Sequence, residues 1–383
     1  MKIRKNSNYR CVVTLCFILV IVTLISACTT GGQVTQLPAE TSRVQTTEQP
    51  TQAPQAESGN KELVVLDWSG YDLPEFRQSY DEKHPNIEPS YNYFADEAEA
   101  FAKIQSGFEF DVIHPCTNFW KLYVEHGMVQ PIDTSRLSNW DKLYPSLAKQ
   151  GEFNGKQYFI PYDWGYDSIL VRTDKVKEVP DSWTDLWDPQ YAGHLALFDS
   201  GEVNHVIAAL ALGFDPWNTT PEQDEQITQK LLEIKPNVLS FWSDYAEVTQ
   251  AMAAGDIWVA ANTWNEAYTT LLDEGVPVEY LKPKEGRLGW LCGFGISSNS
   301  KNTDLAYDYL DALLDPNSMV NMINAYAYGG SHPDAVAQAD QEMVELLEIG
   351  DPAILNDTIF YQSVDDEMRE KVTSRWVDIK AAP

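Results

Sequence analysis

The sequence predicts an α/β protein with two lobes and two hinge crossings between them. A length of 383 residues suggests two domains of roughly 100–200 residues each. Strand patterns alternate with helix patterns along most of the chain, which is typical of mainly parallel sheets. Two apolar runs, residues 159–171 and 287–296, are interrupted by glycine and separate the alternating blocks. We therefore expect each run to carry the chain from one lobe to the other.

Residues 1–61 predict a targeting segment followed by a tether. Residues 1–27 place a basic start, an apolar run and small residues before Cys28, as secretory signal peptides do. The apolar run is shorter than the ~20 residues that cross a membrane. Residues 28–61 are rich in Thr, Gln, Pro and Ser and have almost no large apolar side chains. This composition predicts a disordered linker.

The composition argues against several classes of function. The formal net charge of −30 disfavours nucleic acid and anionic lipid surfaces as partners. The body after the linker has only Cys116 and Cys292, and no Cys or His cluster predicts zinc. The sequence has no phosphate-binding loop, GxSxG or HExxH motif. We therefore expect no cofactor, no metal and no catalytic residue.

The first alternating block predicts most of one lobe. Its strands fall at residues 62–68, 87–94 and 110–114, and its helices at 73–84, 96–106 and 119–126. In parallel sheets, ligands bind beyond the carboxyl ends of the strands. Residues 68–71 and 116–119 are therefore candidate binding loops, as are residues 263–266 in the second block.

The second block follows the crossing at residues 159–171. Its predicted strands are 193–198, 238–242, 256–264 and 277–281, and its helices are 203–213, 221–235, 247–254 and one that ends at 274. Helices at 304–314, 318–326, 336–347 and 365–379 follow the return crossing. We expect residues 62–165 plus 292–337 to form lobe 1, and 166–291 plus 338–383 to form lobe 2.

Several stretches resemble the extracellular solute-binding proteins of bacterial ABC importers, and most closely their spermidine/putrescine-binding group. The stretches that carry the resemblance are LDWSGYDLPEF, FDVIHPCTNF, FIPYDWGYDSILV, SWTDLWDPQYAG, PKEGRLGWLCGFGI and NAYAYGG. The resemblance implies a periplasmic-binding-protein (venus flytrap) fold, a small solute in the interlobe cleft and delivery to an ABC permease by a monomer. Ser26-Ala27-Cys28 resembles a lipobox, which implies a lipid on Cys28 and an extracytoplasmic, membrane-anchored protein.

The resemblance also implies a box of aromatic side chains around an amine. The implied ligand-binding residues are Trp68, Ser69, Tyr71, Cys116, Asn118, Asp199, Glu202, Trp264, Glu266, Trp290, Cys292 and Tyr328. A tryptophan face holds a cation with ~0.5–2 kcal/mol, depending on desolvation. Core packing is the alternative role for each tryptophan, since the chain has twelve of them.

The sequence departs from the polyamine-binding pattern at the positions that would meet the ligand's charge. Cys292 stands two places after Trp290, where the family has an acid, while Cys116 and Asn118 replace a hydroxyl and an aromatic residue. In the second lobe Asp199 is kept, but Ser200 replaces an acid, with Glu202 nearby. A buried ammonium without a partner is costly. These departures weaken the case for a polyamine as the ligand.

Other acids are candidates to restore the missing charge, namely Asp163, Asp167, Asp244 and Glu266. The resemblance also places Cys116 and Cys292 at one wall of the cleft. A disulfide and two buried thiols both remain open there, and a disulfide requires Cα atoms within ~7 Å.

Three other functions remain as alternatives. Aromatic side chains also stack on sugars, so a sugar or an amino-acid-like solute is possible. A secreted carbohydrate hydrolase would need paired acids, which are abundant throughout this chain. A ferric-ion binder would need converging tyrosines and carboxylates, and no adjacent Tyr pair is present.

Overall fold

The computed structural model describes residues 62–350 and 352–382. The predicted signal peptide, Cys28 and the linker lie outside the described residues. Among the helices of the described part, none is both long and apolar enough to span a bilayer.

Fourteen strands form in the described part of the chain. In chain order they are β1 (Val64–Trp68), β2 (Ser90–Phe94), β3 (Val112–Ile113), β4 (Val129–Gln130), β5 (Glu152–Phe153), β6 (Lys156–Gln157), β7 (Phe159–Arg172), β8 (Leu195–Phe198), β9 (Val238–Trp242), β10 (Val259–Thr263), β11 (Val278–Tyr280), β12 (Arg287–Ser297), β13 (Gly329–Gly330) and β14 (Thr358–Phe360).

Thirteen α-helices accompany these strands in the same described residues. They are α1 (Gln78–Lys83), α2 (Glu97–Gln105), α3 (Thr117–Glu125), α4 (Pro145–Ala148), α5 (Gly201–Ala211), α6 (Pro221–Glu233), α7 (Tyr245–Ala254), α8 (Asn265–Asp273), α9 (Thr303–Leu313), α10 (Pro316–Tyr326), α11 (Pro333–Val336), α12 (Gln341–Leu346) and α13 (Asp366–Ala381).

The strand order divides the sheet into two parallel groups. The order is β2-β1-β3-β12-β7-β10-β8-β9. On one side β1 pairs parallel with β2 and β3, and on the other β8 pairs parallel with β9 and β10. The two groups are the cores of a first and a second lobe. The long strands β7 and β12 lie between them as an antiparallel pair. The predicted α/β class and the two hinge crossings are therefore confirmed.

The register between β7 and β12 places several candidate ligand-binding residues opposite one another. Gly165 of β7 lies opposite Trp290 of β12, and Asp163 lies opposite Cys292. Because side chains alternate along a strand, Asp163, Gly165 and Asp167 face the same side of the sheet. Residues directly opposite in an antiparallel pair also share a face. One face of the hinge therefore presents two carboxylates, an indole and a sulfur.

The glycines of β12 reflect close packing between neighbouring parts of the protein. A side chain at Gly293 would collide with the Ile160 carbonyl and the Trp120 ring. At Gly295 it would lie 2.7 Å from the ring of Phe159. Glycine in a strand often indicates that another group approaches the backbone closely. At Gly293 and Gly295 that group belongs to the first-lobe core.

Side-chain caps fix where several helices near the cleft begin. The Asp96 carboxylate accepts a 2.8 Å hydrogen bond from the Glu99 amide at the start of α2. Ser200, expected to replace an acid, caps α5 by accepting from the Val203 amide. Asp244 caps α7 by accepting from the Ala246 amide at 2.7 Å. Its carboxylate therefore has a structural role.

The C-terminal region departs most from the predicted elements. Residues 336–347 do not form one continuous helix, because α11 ends at Val336 and Asp340 then caps α12. Strand β14 was not predicted, and it adds to the edge of β12 in parallel. The Tyr361 amide continues this pairing by donating to the Gly289 carbonyl at 2.8 Å. The C-terminal chain therefore runs along the hinge before α13 packs on α5 in the second lobe.

Candidate ligand-binding site

The floor of the candidate site is the hinge face that carries Trp290. A Cβ at Gly165 would lie 2.5 Å from Cζ2 of the Trp290 indole, so the ring rests directly on the Gly165 backbone. Asp163 and Asp167 flank Gly165 on the same face. Because the indole rests on Gly165, it lies between these two carboxylates. The indole is half-buried, so part of its surface is open.

Four aromatic rings form a continuous row from the first lobe to this indole. The Tyr71 ring stacks on Tyr326 with centroids 5.1 Å apart, and Tyr326 stacks on Tyr328 at 5.8 Å. Trp290 then meets Tyr328 edge to face at 4.7 Å. Such rows give a large apolar contact surface whose faces attract cations.

At the first-lobe end, Asp163 is fully engaged by other protein groups. Its Oδ2 accepts a 2.5 Å hydrogen bond from the Tyr71 hydroxyl, and its Oδ1 lies 3.0 Å from Nε2 of His114. His114 Nδ1 lies 2.7 Å from Oδ1 of Asp67. Burial disfavours the imidazolium, but the two carboxylates outweigh this and raise the pKa of His114 to about 9. His114 therefore already partners one oxygen of Asp163 and one of Asp67, while Oδ2 of Asp67 is buried without a partner in the described residues.

At the second-lobe end, two acids have free oxygens. Glu266 accepts a 2.8 Å hydrogen bond from the Tyr328 hydroxyl through Oε1, and Asp167 accepts from the Asn262 amide at 3.3 Å through Oδ2. The other oxygens, Asp167 Oδ1 and Glu266 Oε2, are buried and have no hydrogen-bond partner within the described residues. Unsatisfied buried carboxylate oxygens call for a donor.

The pKa values of these two acids reflect the cost of burying their negative charge. Burial and the neighbouring Glu266 raise the pKa of Asp167 well above its ordinary value. Burial also raises the pKa of Glu266, although the Tyr328 hydrogen bond opposes this. A cation between the two carboxylates would relieve both the burial cost and their repulsion.

Cys116 and Cys292 are joined by a disulfide. Their Cα atoms are 3.8 Å apart, and the two residues form an antiparallel bridge between the start of α3 and β12. The Cys116 amide donates a 2.6 Å hydrogen bond to Oε1 of Glu97. The disulfide fixes a first-lobe binding loop to the hinge and contributes no charge to the site.

The two second-lobe acids expected from the resemblance are paired with α13. Asp199 is exposed and accepts from Lys380 Nζ at 2.6 Å and from the Trp376 indole at 2.7 Å. Glu202 forms an ion pair with Arg369. Neither carboxylate is therefore free to meet a ligand cation.

The remaining expected residues are spread over the walls of the cleft. Trp68 ends β1 and packs against Phe94 with centroids 4.4 Å apart, and its indole nitrogen is buried without a hydrogen-bond partner in the described part of the chain. Trp264 precedes α8 and packs against Trp242 at 5.5 Å. Ser69 is exposed. Asn118, at the start of α3, accepts a 3.2 Å hydrogen bond from Arg369 through its carbonyl.

Two other features do not define the site. Within residues 62–350 and 352–382, no group of three or more His, Cys, Asp or Glu side chains is arranged to hold a metal. A cavity of about 860 Å³ lies between residues 282–287 and 341–359. It is bordered by the 2.9 Å ion pair of Arg287 and Glu348 and shares no lining residue with the aromatic row.

The match to a family model decides the class of the protein. The model for bacterial extracellular solute-binding proteins matches residues 75–347. The chain belongs to this family. Membership confirms the predicted two-lobed fold and the prediction of a solute-binding protein.

Named relatives agree with this assignment. The putrescine-binding periplasmic protein PotF of Escherichia coli is 29% identical over 348 residues, which are 84% of this chain and 92% of that protein. The spermidine/putrescine-binding periplasmic protein of the same bacterium is 29% identical over 273 residues, 70% of this chain and 77% of that protein. The structure of the spermidine/putrescine ABC transporter substrate-binding protein PotD from Streptococcus pneumoniae matches with a TM-score of 0.72. Its identity is 23%, and the match covers 84% of this chain and 99% of that one, so it bears on the fold.

Sequence reasoning missed several residues of this solute-binding protein's cleft. Tyr326 completes the aromatic row, and the NAYAYGG stretch contained a signal for it, since its two tyrosines are two residues apart. His114 follows the buried strand β3, and no neighbouring residue in the sequence marks it as part of the site. Arg369 had no local signal, because its partners come from distant parts of the chain.

Proposed function

We propose that this protein captures a small amine between its lobes and delivers it to an ABC permease. The observation that carries the proposal is the aromatic row that ends at the unpartnered oxygens of Asp167 and Glu266. An ammonium group there would donate hydrogen bonds to carboxylates and lie against the π surfaces of Trp290 and Tyr328. Relatives named for putrescine and spermidine support an amine as the ligand.

A neutral sugar fits this site less well than an amine. A sugar would also stack on the aromatic row, but its hydroxyls carry no charge to offset two buried acids. The family match favours a binding protein over a hydrolase, because the matched family consists of solute-binding proteins. Binding without turnover is therefore the activity we assign.

Closure of the two lobes around the ligand is the expected working motion. Lobe 1 would comprise residues 62–165 plus 292–337, and lobe 2 residues 166–291 plus 338–383. With these boundaries, the hydrogen bonds from Tyr328 to Glu266 and from Asn265 to the Ala327 carbonyl join the lobes, at 2.8 and 3.1 Å. A ligand that contacts both lobes favours the closed state by population shift.

We propose that the N-terminal sequence directs export of the protein and its anchoring to a membrane. A signal peptide at residues 1–27 would direct export, and a lipid on Cys28 would attach the protein to the outer face of a membrane. Residues 28–61 would then act as a tether that lets the folded body reach the permease. We propose that the protein works there as a monomer, since one chain supplies the whole aromatic row and both acids.

A thermal-shift panel tests the proposed ligand class. The exported form, without its signal peptide, is melted with n-butylamine, putrescine, spermidine, choline, glucose and maltose. A ligand at 100 times its Kd stabilises the folded state by about 2.7 kcal/mol. We expect at least one amine to raise the melting temperature and neither sugar to do so. A shift with a sugar and with no amine would overturn the proposal.

A further inference from the structure

Asn262 of β10 lies between the carboxylate of Asp167 and a tyrosine from the C-terminal part of the chain. Its Nδ2 donates to Oδ2 of Asp167 at 3.3 Å, and its Oδ1 accepts a 2.9 Å hydrogen bond from the Tyr361 hydroxyl. Asn262 and Asp167 are both buried. Because the tyrosine donates to the amide oxygen, the amide nitrogen faces the carboxylate. Asn262 therefore engages one oxygen of Asp167, and Oδ1 is the oxygen without a partner in the described residues.

The backbone of β10 departs from a regular strand at the residue that presents this amide. Asn262 has a left-handed φ of 57°, which asparagine adopts more readily than most residues. The register between β10 and β7 shifts between Ala260 and Thr263, so Asn262 lies in a β-bulge. Bulges re-aim a side chain and are common beside functional sites. Here the bulge directs the Asn262 side chain to Asp167 on the neighbouring strand.

Tyr361 is held beside the hinge by the strand that precedes it. Strand β14 pairs in parallel with the start of β12, and the Tyr361 amide continues the pairing by donating to the Gly289 carbonyl at 2.8 Å. The Tyr361 ring meets Trp217 edge to face, with centroids 6.2 Å apart. These contacts fix the position from which its hydroxyl reaches Asn262. Tyr361 also lies beyond residues 75–347, the part of the chain that the family model matches.

We propose that Asn262 and Tyr361 are positioning residues for the cationic group of the ligand and act through Asp167. The proposal rests on the proposed function and deepens it. The Asn262 amide donates to the carboxylate and so favours the ionised form that an ammonium group needs. The Tyr361 hydroxyl keeps the amide in the orientation that donates. The C-terminal segment thereby supports the ligand site without lining it.

The titratable side chains around Asp167 come from several elements. Burial raises the pKa of Asp167, the neighbouring Glu266 raises it further, and the hydrogen bond from Asn262 lowers it. The hydroxyls that also interact with this carboxylate are those of Tyr280, Tyr328 and Tyr361. Burial raises the pKa of each tyrosine, so all three stay neutral between pH 5 and 8. Loss of the Asn262 amide should therefore move the ionisation of Asp167 to higher pH.

Calorimetry of N262G and Y361F from pH 5 to 8 tests the proposal. The exported form is titrated with n-butylamine, or with putrescine if putrescine stabilises the protein more in the thermal-shift panel. N262G removes the amide and keeps the backbone, because glycine adopts a left-handed φ without strain. At pH 6 we expect the Kd to rise about tenfold or more in N262G and about three- to tenfold in Y361F. In both variants the rise of affinity with pH should move to higher pH.

The outcomes separate this proposal from the proposed function. If the wild type binds an amine but the variants keep its Kd, or lose affinity equally at every pH, the positioning role is overturned and the proposed function stands. If the wild type binds no amine of the panel, the proposed function fails and the positioning role fails with it. Thermal melts check that each variant is folded, and the pH profile of Y361F decides alone if N262G does not fold.

A double variant and two matched controls test the route through Asn262. Adding Y361F to N262G should cost no further affinity, because the hydroxyl has lost the amide through which it acts. An additional loss as large as that of Y361F alone would overturn the role of Tyr361. N154G changes an exposed asparagine with a φ of 53°, and Y191F removes a tyrosine hydroxyl that donates to the Glu178 carbonyl. Both controls should keep the wild-type Kd and pH profile, and the same shift of the profile in them would overturn the proposal.

Discussion

The hydroxyl of Tyr328 donates a 2.8 Å hydrogen bond to Oε1 of Glu266, and this bond links an aromatic row to an acid whose Oε2 has no partner within the described residues. Tyr328 follows Ala327, which turns the chain at the end of α10 with a left-handed φ of 57°. The turn directs Tyr328 away from the helix and against Trp290. The end of α10 thus positions the hydroxyl that holds the Glu266 carboxylate.

Neutralising the open acids should abolish most amine binding. Glu266→Gln and Asp167→Asn each keep the shape of the side chain but remove a charge that would face the ligand. We expect each variant to weaken n-butylamine binding about 10- to 100-fold, the scale of one or two charge-assisted hydrogen bonds. Calorimetry measures the change. Glu279→Gln, an exposed acid on β11, is the control, and an equal loss in that variant would contradict the assignment.

Amine affinity should rise with pH as the same acids lose their protons. Their pKa values are raised by burial, so the ligand-free site holds protons that the unfolded chain releases near pH ~4. The contribution of the two acids to the free energy of unfolding is complete below their pKa in the unfolded chain. It is lost as pH rises through their raised pKa values in the folded protein. A bound ammonium favours the ionised forms, so its Kd should fall over that range. Calorimetry from pH 5 to 8 checks this, and an affinity that falls with pH would contradict it.

His114 should stabilise the fold through its charge. Its pKa rises from 6.5 to about 9 because the carboxylates of Asp67 and Asp163 outweigh the cost of burying the imidazolium. This contribution is full below pH 6.5 and is lost as pH rises through about 9. Urea unfolding should therefore show a larger cost of His114→Gln at pH 6 than at pH 9.5. His126→Gln, at an exposed histidine, is the control, and a pH-independent cost of His114→Gln would refute the charge model.

The disulfide should stabilise the folded protein, because it joins a first-lobe loop to the hinge strand β12. Cys116 and Cys292 are separated by 176 residues, and closing so long a loop restricts the unfolded chain strongly. We expect C116S/C292S to lower the free energy of unfolding by about 2–5 kcal/mol. Thermal melts with and without dithiothreitol measure the effect. The reductant should leave the double variant unchanged, and a wild-type protein equally insensitive to it would contradict the prediction.

Strong local patterns made the hinge predictable from the sequence. The crossings expected at residues 159–171 and 287–296 correspond to Phe159–Arg172 and Arg287–Ser297. Both strands are buried along nearly their whole length, so their apolar runs are long and their ends distinct. The three-residue strand β14 gave no such signal, since short strands depend on the edge they join.

The charge balance of the cleft required tertiary structure. The resemblance implies Asp199 and Glu202 as ligand-binding acids, but their partners Lys380 and Arg369 come from a helix more than a hundred residues later. No local spacing relates these groups. Whether an acid is open or paired depends on how α13 packs on α5, which only the folded protein shows.

The position of Trp290 on Gly165 should be sensitive to a single methyl group. In Gly165→Ala the new Cβ would lie 2.5 Å from Cζ2 and 2.8 Å from Cε2 of the indole, so the ring must move. We expect a stability loss of about 1–3 kcal/mol, as for other overpacked cores, and weaker amine binding. Trp290→Leu removes the colliding ring atoms, so adding Gly165→Ala to that variant should cost little. Unfolding free energies of the two single variants and the double variant measure this coupling. An equal cost of Gly165→Ala in both backgrounds would show that the indole does not rest on Gly165.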